Sequence, residues 1–380
     1  MTALKVYFVV GEESGDALGA DLLDALRCDG GSAVEPMGLA GPQLGERGVR
    51  SLFNIADIAI MGIAAVFRRL PTIVLHVYRT VDDIVAKNPD VVVLIDSPDF
   101  VQAVAKRVRK RAPHIPIINY VCPSVWAWRS GRARAMAAYI DHVLALLPFE
   151  PTVLQELAGP PATYVGHPLA TRLQALPPRK TDRTAAGRPP VLLVLPGSRR
   201  SEVARLLEPF GETLAILKAR GVAFEAVIPA VDHVRKDIEV GVRSWTVQPR
   251  IVSSKDNDDV FSTAQAALAA SGTVTLQLAL QGVPLVAAYK LDPFAQFIAN
   301  RAMTTWSASL PNLIADRMVI QEDYAAFMIP GRIARRLETL LQDSPDRAAQ
   351  LAGFDDVWER LKTQRPAGAI AAEVVRKIAR

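Results

Sequence analysis

The stretch KVYFVVGEESGDALGADLLDAL, residues 5–26, decides the fold. Lys5–Val10 reads as a buried strand, Gly11–Gly15 as a turn, and Asp16–Arg27 as a helix with Leu18, Leu22, Leu23 and Leu26 on one side. The same order returns in VLLVLPGSRRSEVARLLEPF, residues 191–210. There Val191–Leu195 is the strand, Pro196–Arg200 the turn and Ser201–Arg220 the helix. Further apolar runs predict strands at Val91–Ile95, Pro116–Val121, Val143–Leu147, Ala223–Ile228, Ala266–Ala270 and Val283–Tyr289, with a helix at Val101–Arg111. Near-continuous apolar strands alternating with helices imply parallel sheets covered on both faces. The Pro- and Arg-rich segment 176–190 (LPPRKTDRTAAGRPP) separates the two series and reads as a linker. The expected architecture is α/β, with two facing doubly wound, Rossmann-like domains at 1–175 and 191–345. Gly331–Arg380 reads as mostly helical, with amphipathic stretches at Ile333–Leu341 and Ala369–Ile378, and its last part, 346–380, is expected to pack back on one of the domains. Ligands of such sheets bind at the C-terminal strand ends, so the facing domains are expected to share one cleft.

Composition narrows the function. The chain has 380 residues, half of them apolar and 22% charged, which is enough for a sizeable core and excludes wholesale disorder. The net charge of +5 is too small for a dedicated nucleic-acid binder, yet favours anionic partners. Two cysteines, Cys28 and Cys122, cannot build a disulfide framework or a four-thiolate zinc site, so a reduced, cytoplasmic protein is expected. The N-terminus enters a strand directly, without the pattern of a secretory signal. No apolar run reaches the roughly 18–20 residues that span a bilayer. Ile58–Phe67 (IAIMGIAAVF) is followed at once by Arg68 and Arg69. It reads either as a buried helix or as an apolar surface with a basic collar that rests on a membrane.

Candidate chemistry gathers at the strand ends. Gly11, Gly15 and Gly19 lack the G-x-G-x-x-G order, so a dinucleotide fingerprint is not supported. Gly11, Ser14 and Gly15 instead suit an anion or a sugar hydroxyl, with Glu12, Glu13 and Asp16 as hydrogen-bond acceptors for a polyol and helix capping by Ser14 as the plain structural alternative. Asp96 directly follows the Val91–Ile95 strand, where a partly desolvated carboxylate can act as a general base. Asp99 reads as the N-cap of the next helix. Residues 100–140 contain no Asp or Glu but carry Lys106, Arg107, Arg109, Lys110, Arg111, Arg129, Arg132 and Arg134. That favours an anionic surface or a phosphorylated substrate over an ordinary solvated helix face. Within this segment PSVWAWR (123–129) places two tryptophans near Arg129, suited to core packing, a sugar platform or a lipid-interface anchor. In the second half, Gly197, Ser198 and Arg199 can bring amides, a hydroxyl and a guanidinium to a phosphate, and Ser271, Gly272 and Thr273 repeat the device. Neither is a P-loop, and two anion sites in one domain suit a diphosphate. The five histidines are scattered and give no metal-ligand pattern, so no metal is expected.

The segments GEESGDALGADLL, IMGIAAV, PDVVVLIDSPDF, YVCPSVWAWR, LLPFEP, YVGHPLA, LPGSRRSEV, AASGTVTLQLAL, GVPLVAAYK and SLPNLIA follow one another along nearly the whole chain. In this order they make the chain resemble the lipid-A-disaccharide synthases. The resemblance implies a GT-B inverting glycosyltransferase with an N-terminal acceptor- and lipid-binding domain and a C-terminal UDP-sugar domain. It implies transfer of 2,3-diacylglucosamine from UDP-2,3-diacylglucosamine to 2,3-diacylglucosamine 1-phosphate (lipid X). The products are a β-1,6-linked disaccharide 1-phosphate and UDP. It also implies work at the cytoplasmic face of the Gram-negative inner membrane, which gives Ile58–Phe67 and the basic segment a purpose.

By the same resemblance Asp96 is the base. Glu12, Ser14, Gly15, Arg129 and Asn312 are substrate-side residues. Arg199 neutralises the leaving diphosphate, with Gly197, Ser198, Ser271, Gly272, Thr273 and Gln277 on the UDP side. No cofactor or metal is implied. The tail leaves room for a homodimer without requiring one. Four positions depart from the family's usual residues. Gln277 stands where a Glu commonly grips ribose, Gln43 in place of an Arg, Ala65 in place of a Glu and Asp316 in place of a Gly. A neutral Gln277 predicts weaker donor binding. The rival readings are another GT-B nucleotide-sugar enzyme, such as an N-acetylglucosaminyl transferase or UDP-sugar epimerase, and a nucleotide-binding homologue with reduced catalysis.

Overall fold

The computed structural model describes residues 3–28, 31–58, 63–174, 189–290, 301, 303–325 and 328–379; for 63–69, 256–257 and 325 it describes the backbone alone. The chain divides into two compact units, one of residues 1–171 with 363–380 and one of residues 172–362.

The first unit is built on strands β1 (Leu4–Val10), β2 (Val34–Leu39), β3 (Val91–Ile95), β4 (Ile117–Tyr120), β5 (His142–Ala145) and β6 (Ala162–Tyr164). They form one sheet in the order β2-β1-β3-β4-β5-β6, paired in parallel throughout. Strand alternation splits the core between the two faces. Tyr7, Val9, Val92 and Leu94 pack with the helices Ile63–Lys87 and Pro98–Arg111 on one side. Val6, Phe8, Val10, Val93 and Ile95 pack with the helix Glu13–Cys28 on the other.

The second unit uses β7 (Val191–Leu195), β8 (Glu225–Ala230), β9 (Arg250–Ser253), β10 (Ala264–Ala270), β11 (Leu285–Lys290) and β12 (Gln321–Ala325). Their order is β12-β11-β10-β7-β8-β9, again parallel. The helices Arg200–Ala219 and Pro330–Leu341 cover one face through Leu206, Phe210, Leu214, Ile333 and Leu337. Two parallel sheets wrapped by helices are the architecture that the alternating pattern predicts.

The helical tail is shared between the units. The helix Pro345–Leu361 belongs to the second, whereas Ala367–Ile378 returns to the first, where Ala371, Ala372 and Val375 join its core. The return is close-packed, since a Cβ on Gly368 would lie 2.6 Å from Asp21 Oδ2. Most of the expected linker, residues 175–188, lies outside the described residues. So do Ala59–Gly62 and the side chains of 63–69, and with them most of the expected membrane segment 58–67; Ile58 itself is buried.

Candidate active site

The first unit collects its reactive groups at the C-terminal ends of β1, β3 and β4. Asp96 is the first residue beyond β3 and is half-buried. Asp96 and Ser97 both adopt left-handed backbone, at φ 58° and 43°. Such conformations cost roughly 1–3 kcal/mol each in non-glycine residues, and they persist where the surroundings over-determine them. Here the surroundings are the β1 turn. A Cβ on Gly11 would fall 2.1 Å from Ser97 Cβ, so only glycine lets the two strand ends approach. Gly15 lies against the backbone of Ile95, and from the same turn Ser14 Oγ donates to Asp96 Oδ2 at 2.8 Å. The other carboxylate oxygen accepts from Ser97 N at 2.8 Å. Asp96 is thus aimed by one hydroxyl and one amide and held next to solvent. Glu12 is exposed in the same turn.

Two of the nearby acids do not take the places their sequence positions suggest. Asp16 is buried and accepts from the backbone amides of Gly41, Gln43 and Leu44 at 2.9, 2.7 and 3.3 Å. It closes the N-terminus of the short helix Pro42–Glu46 and is not a free acceptor for a sugar. Asp99 is not the N-cap expected of it. Ser97 holds that position, and Asp99 in the first turn pairs with Arg132. Arg109 likewise pairs with Asp141 and Arg111 with Asp82. The acid-free run 100–140 therefore finds counter-charges in three dimensions that it lacks along the chain, from Asp99 and Asp141 at its two borders and from Asp82 further upstream. Lys106 and Arg107 lie instead over the rings of Tyr139 and Tyr78.

The loop after β4 adjoins Asp96, whose amide donates to the Tyr120 carbonyl. Two more left-handed residues shape that loop, Val121 and Arg129 at φ 78° and 54°. Arg129 is exposed, with its guanidinium 4.3 Å from the centre of the half-exposed Trp128 ring. His167 accepts from Leu169 N through Nδ1, and burial pushes its pKa down to about 4, so it is a neutral turn residue.

The second unit places two turns side by side, because β7 and β10 are neighbours with Leu195 opposite Ala269. In the β7 turn, Gly197, Ser198 and Arg199 precede the helix Arg200–Ala219. Two of its amides, those of Ser198 and Arg199, are already occupied. Glu202 Oε2 accepts from Ser198 N and Arg199 N, both at 3.2 Å, while Oε1 binds the Arg199 guanidinium at 2.9 Å. His233 Nε2 secures the turn from the other side, donating to the Ser198 carbonyl at 2.8 Å. What the turn offers a ligand is the exposed Ser198 hydroxyl and the Arg199 guanidinium, whose side chain is 64% exposed. The β10 turn is the reverse case. Gly272 sits at φ 154° and ψ −168°, a conformation essentially restricted to glycine, and a Cβ there would meet nothing within 4 Å among the described residues. It starts the helix Thr273–Leu280 without a side-chain cap, so the helix N-terminus faces open space. Ser271 Oγ donates to the Ala308 carbonyl at 3.3 Å.

Gln277, one turn along that helix, donates through Nε2 to Asp258 Oδ1 at 3.2 Å. The bond orients the amide and leaves Oε1 as its acceptor face. Asn312 is fully buried. Its Oδ1 accepts from Val319 N and Ile320 N at 2.8 and 2.7 Å, and Nδ2 donates to the Ile320 carbonyl at 2.9 Å. It shapes the loop around it and exposes no polar atom.

Glu202, His233 and Asp258 were not singled out by the sequence. Only Glu202 carried a local signal, an acid at the third helical position after a turn.

A family model for lipid-A-disaccharide synthetase matches residues 6–367. The chain belongs to the lipid-A-disaccharide synthase family. It is 47% identical over 380 residues to the lipid-A-disaccharide synthase of Rhodopseudomonas palustris strain HaA2, covering 99% of this chain and 96% of that one. Its fold is shared with UDP-GlcNAc 2-epimerase of Neisseria meningitidis bound to UDP-GlcNAc, at TM-score 0.64, 13% identity and coverage of 98% and 100%. It is shared equally with the glycosyltransferase of kitacinnamycin, at TM-score 0.60, 14% identity and full coverage of both chains. The chain is a GT-B glycosyltransferase of lipid A synthesis.

Proposed function

We propose that the chain transfers 2,3-diacylglucosamine from UDP-2,3-diacylglucosamine to the 6-hydroxyl of lipid X, with Asp96 as general base. The observation that carries this is the Ser14–Asp96 pair, a carboxylate held by strained backbone at a strand end and aimed by a hydroxyl. Asp96 takes the proton of the acceptor hydroxyl as its oxygen attacks the anomeric carbon. The bond from that carbon to the diphosphate oxygen breaks, through an oxocarbenium-like state, and the configuration inverts. UDP leaves with the bonding electrons. The developing negative charge falls to the Arg199 guanidinium and the open helix N-terminus at Gly272–Thr273. Gln277 Oε1 accepts from a ribose hydroxyl, and Glu12 and Arg129 serve the sugar and acceptor. No metal is assigned a step.

The acylated substrates suit a membrane surface, proposed here as the cytoplasmic face of the inner membrane. Beyond the described end of the expected segment, the helix Ile63–Lys87 exposes Leu70, Val74, Leu75 and Tyr78 by 46%, 42%, 56% and 49%. Their spacing puts them on one stripe. The stripe ends at a cavity of about 410 Å³ lined by Tyr78, Lys106, Arg107, Lys110 and Arg111. An apolar stripe beside cations suits a surface of anionic lipid. Among the described residues no helix is long and apolar enough to cross a membrane.

The test is product formation from both substrates with EDTA present, using wild type, Asp96→Ala and Arg199→Ala. The reading expects disaccharide phosphate from the wild type and its loss in both variants. UDP binding without disaccharide over several acyl lengths sinks it.

A further inference from the structure

The loop after β4 and the chain after β5 meet at one buried carboxyl. Glu150 opens the helix Glu150–Glu156 and is 3% exposed. Its Oε1 accepts from Trp126 Nε1 at 3.2 Å. Its Oε2 accepts from the backbone amides of Leu146 and Leu147 at 3.1 and 3.0 Å. The Trp126 ring also meets Phe149 edge-on, with centroids 5.4 Å apart. Among the described residues no cation lies within ion-pair distance of Glu150. The other titratable groups facing it are Cys122 and Tyr164, and burial raises both above their usual values, so both are neutral at pH 7.

We propose that Glu150 is a positioning residue for the acceptor side: its carboxylate ties the Trp126 indole to the backbone of Leu146–Leu147 and so holds the Trp126–Arg129 loop in its binding shape. This rests on the reading of Arg129 as an acceptor-binding group. A carboxylate suits the task because it is acceptor-only and can satisfy three N–H donors at once. A protonated carboxyl cannot do so equally well. Oε2 already serves two amides, so the proton goes to Oε1 and turns a donor toward the indole N–H. The Trp126 tie weakens while the Leu146–Leu147 tie stays. Burial pushes this carboxyl up to about 7, although the amides of Leu147 and Leu146 and the Trp126 indole pull in the opposite direction. The tie is therefore made as pH rises through neutrality and lost as it falls.

The test measures KM for lipid X, KM for the UDP-sugar and kcat from about pH 6 to about pH 8. In the wild type the acceptor KM falls several-fold as pH rises through about 7, whereas the donor KM does not follow. Glu150→Gln presents a permanent donor to the indole, so its acceptor KM stays at the wild type's acid value throughout. Trp126→Phe keeps the ring, removes the N–H and gives the same flat profile. A second measurement needs no turnover. The indole N–H resonance of Trp126 in the ¹⁵N-labelled full chain shifts with a midpoint near neutrality. Wild-type behaviour of Glu150→Gln, or an indole resonance that ignores pH, overturns the proposal. If the indole titrates but Arg129→Ala leaves the acceptor KM unchanged, the reading of Arg129 fails and the proposal falls with it.

Discussion

The β1 turn and the β7 turn are the same device put to different use. Each follows a buried strand, contains glycine, opens a long helix and has a buried acid in that helix's first turn. In the first unit that acid, Asp16, reaches away to close a neighbouring helix, and its own turn is left to bring Ser14 to Asp96. In the second unit the acid, Glu202, folds back on its own turn and occupies the amides of Ser198 and Arg199. The first turn therefore presents a hydroxyl that aims a base. The second presents a guanidinium and the Ser198 hydroxyl, with the amides of Ser198 and Arg199 already committed. The destination of one carboxylate decides which backbone groups a strand–turn–helix unit offers to a ligand.

The strongest way to break this contrast is at the base. Asp96→Ala is expected to lower kcat by about 10²–10⁴-fold, the usual worth of a positioned general base, with UDP binding intact by calorimetry. A loss confined to KM would remove Asp96 from proton transfer. Next, Glu202→Ala frees the β7 amides and releases Arg199 from its partner. Loss of the cap lowers stability by about 1 kcal/mol, read in denaturant unfolding. The donor KM rises as the guanidinium loses its orientation. An unchanged KM would mean that Glu202 only caps the helix. Ser14→Ala removes the 2.8 Å bond to Asp96 and should reduce kcat by about tenfold, on the scale of one hydrogen bond to a charged group. A rate equal to wild type would make Ser14 a bystander.

The smallest effect tests the departure at Gln277. Gln277→Glu alone would set two carboxylates against each other at Asp258, so it should not tighten UDP binding. The double variant Asp258→Asn/Gln277→Glu removes the repulsion and should tighten it a few-fold. Equal affinity in the single and double variants would exclude the coupling.

The amino-acid sequence determined the interior of both sheets. The expected strands correspond to β1, β3, β4 and β5, and to β7, β8, β10 and β11. The strands it did not announce, β2, β6, β9 and β12, are the four edges. An edge strand has a neighbour on one side only, and these are mixed in character, as in RIVS and QEDYA. They lack the continuous apolar run that burial on both faces demands. The sequence also placed Asp96, Ser14 and Gly15 at strand ends, because strand, turn and helix are local patterns and the chemistry of such folds lies at their junctions.

What tertiary structure alone decided is where each side chain's partner lies. Asp16 and Glu202 have similar positions and opposite destinations. Arg132 finds Asp99 thirty-three residues away, and Gln277 finds Asp258 nineteen residues away. Asn312, read as a substrate-side residue, turns its whole amide inward. Periodicity encodes which face of an element is buried. A hydrogen bond between distant residues depends on the register of packed elements, and no spacing along the chain records that.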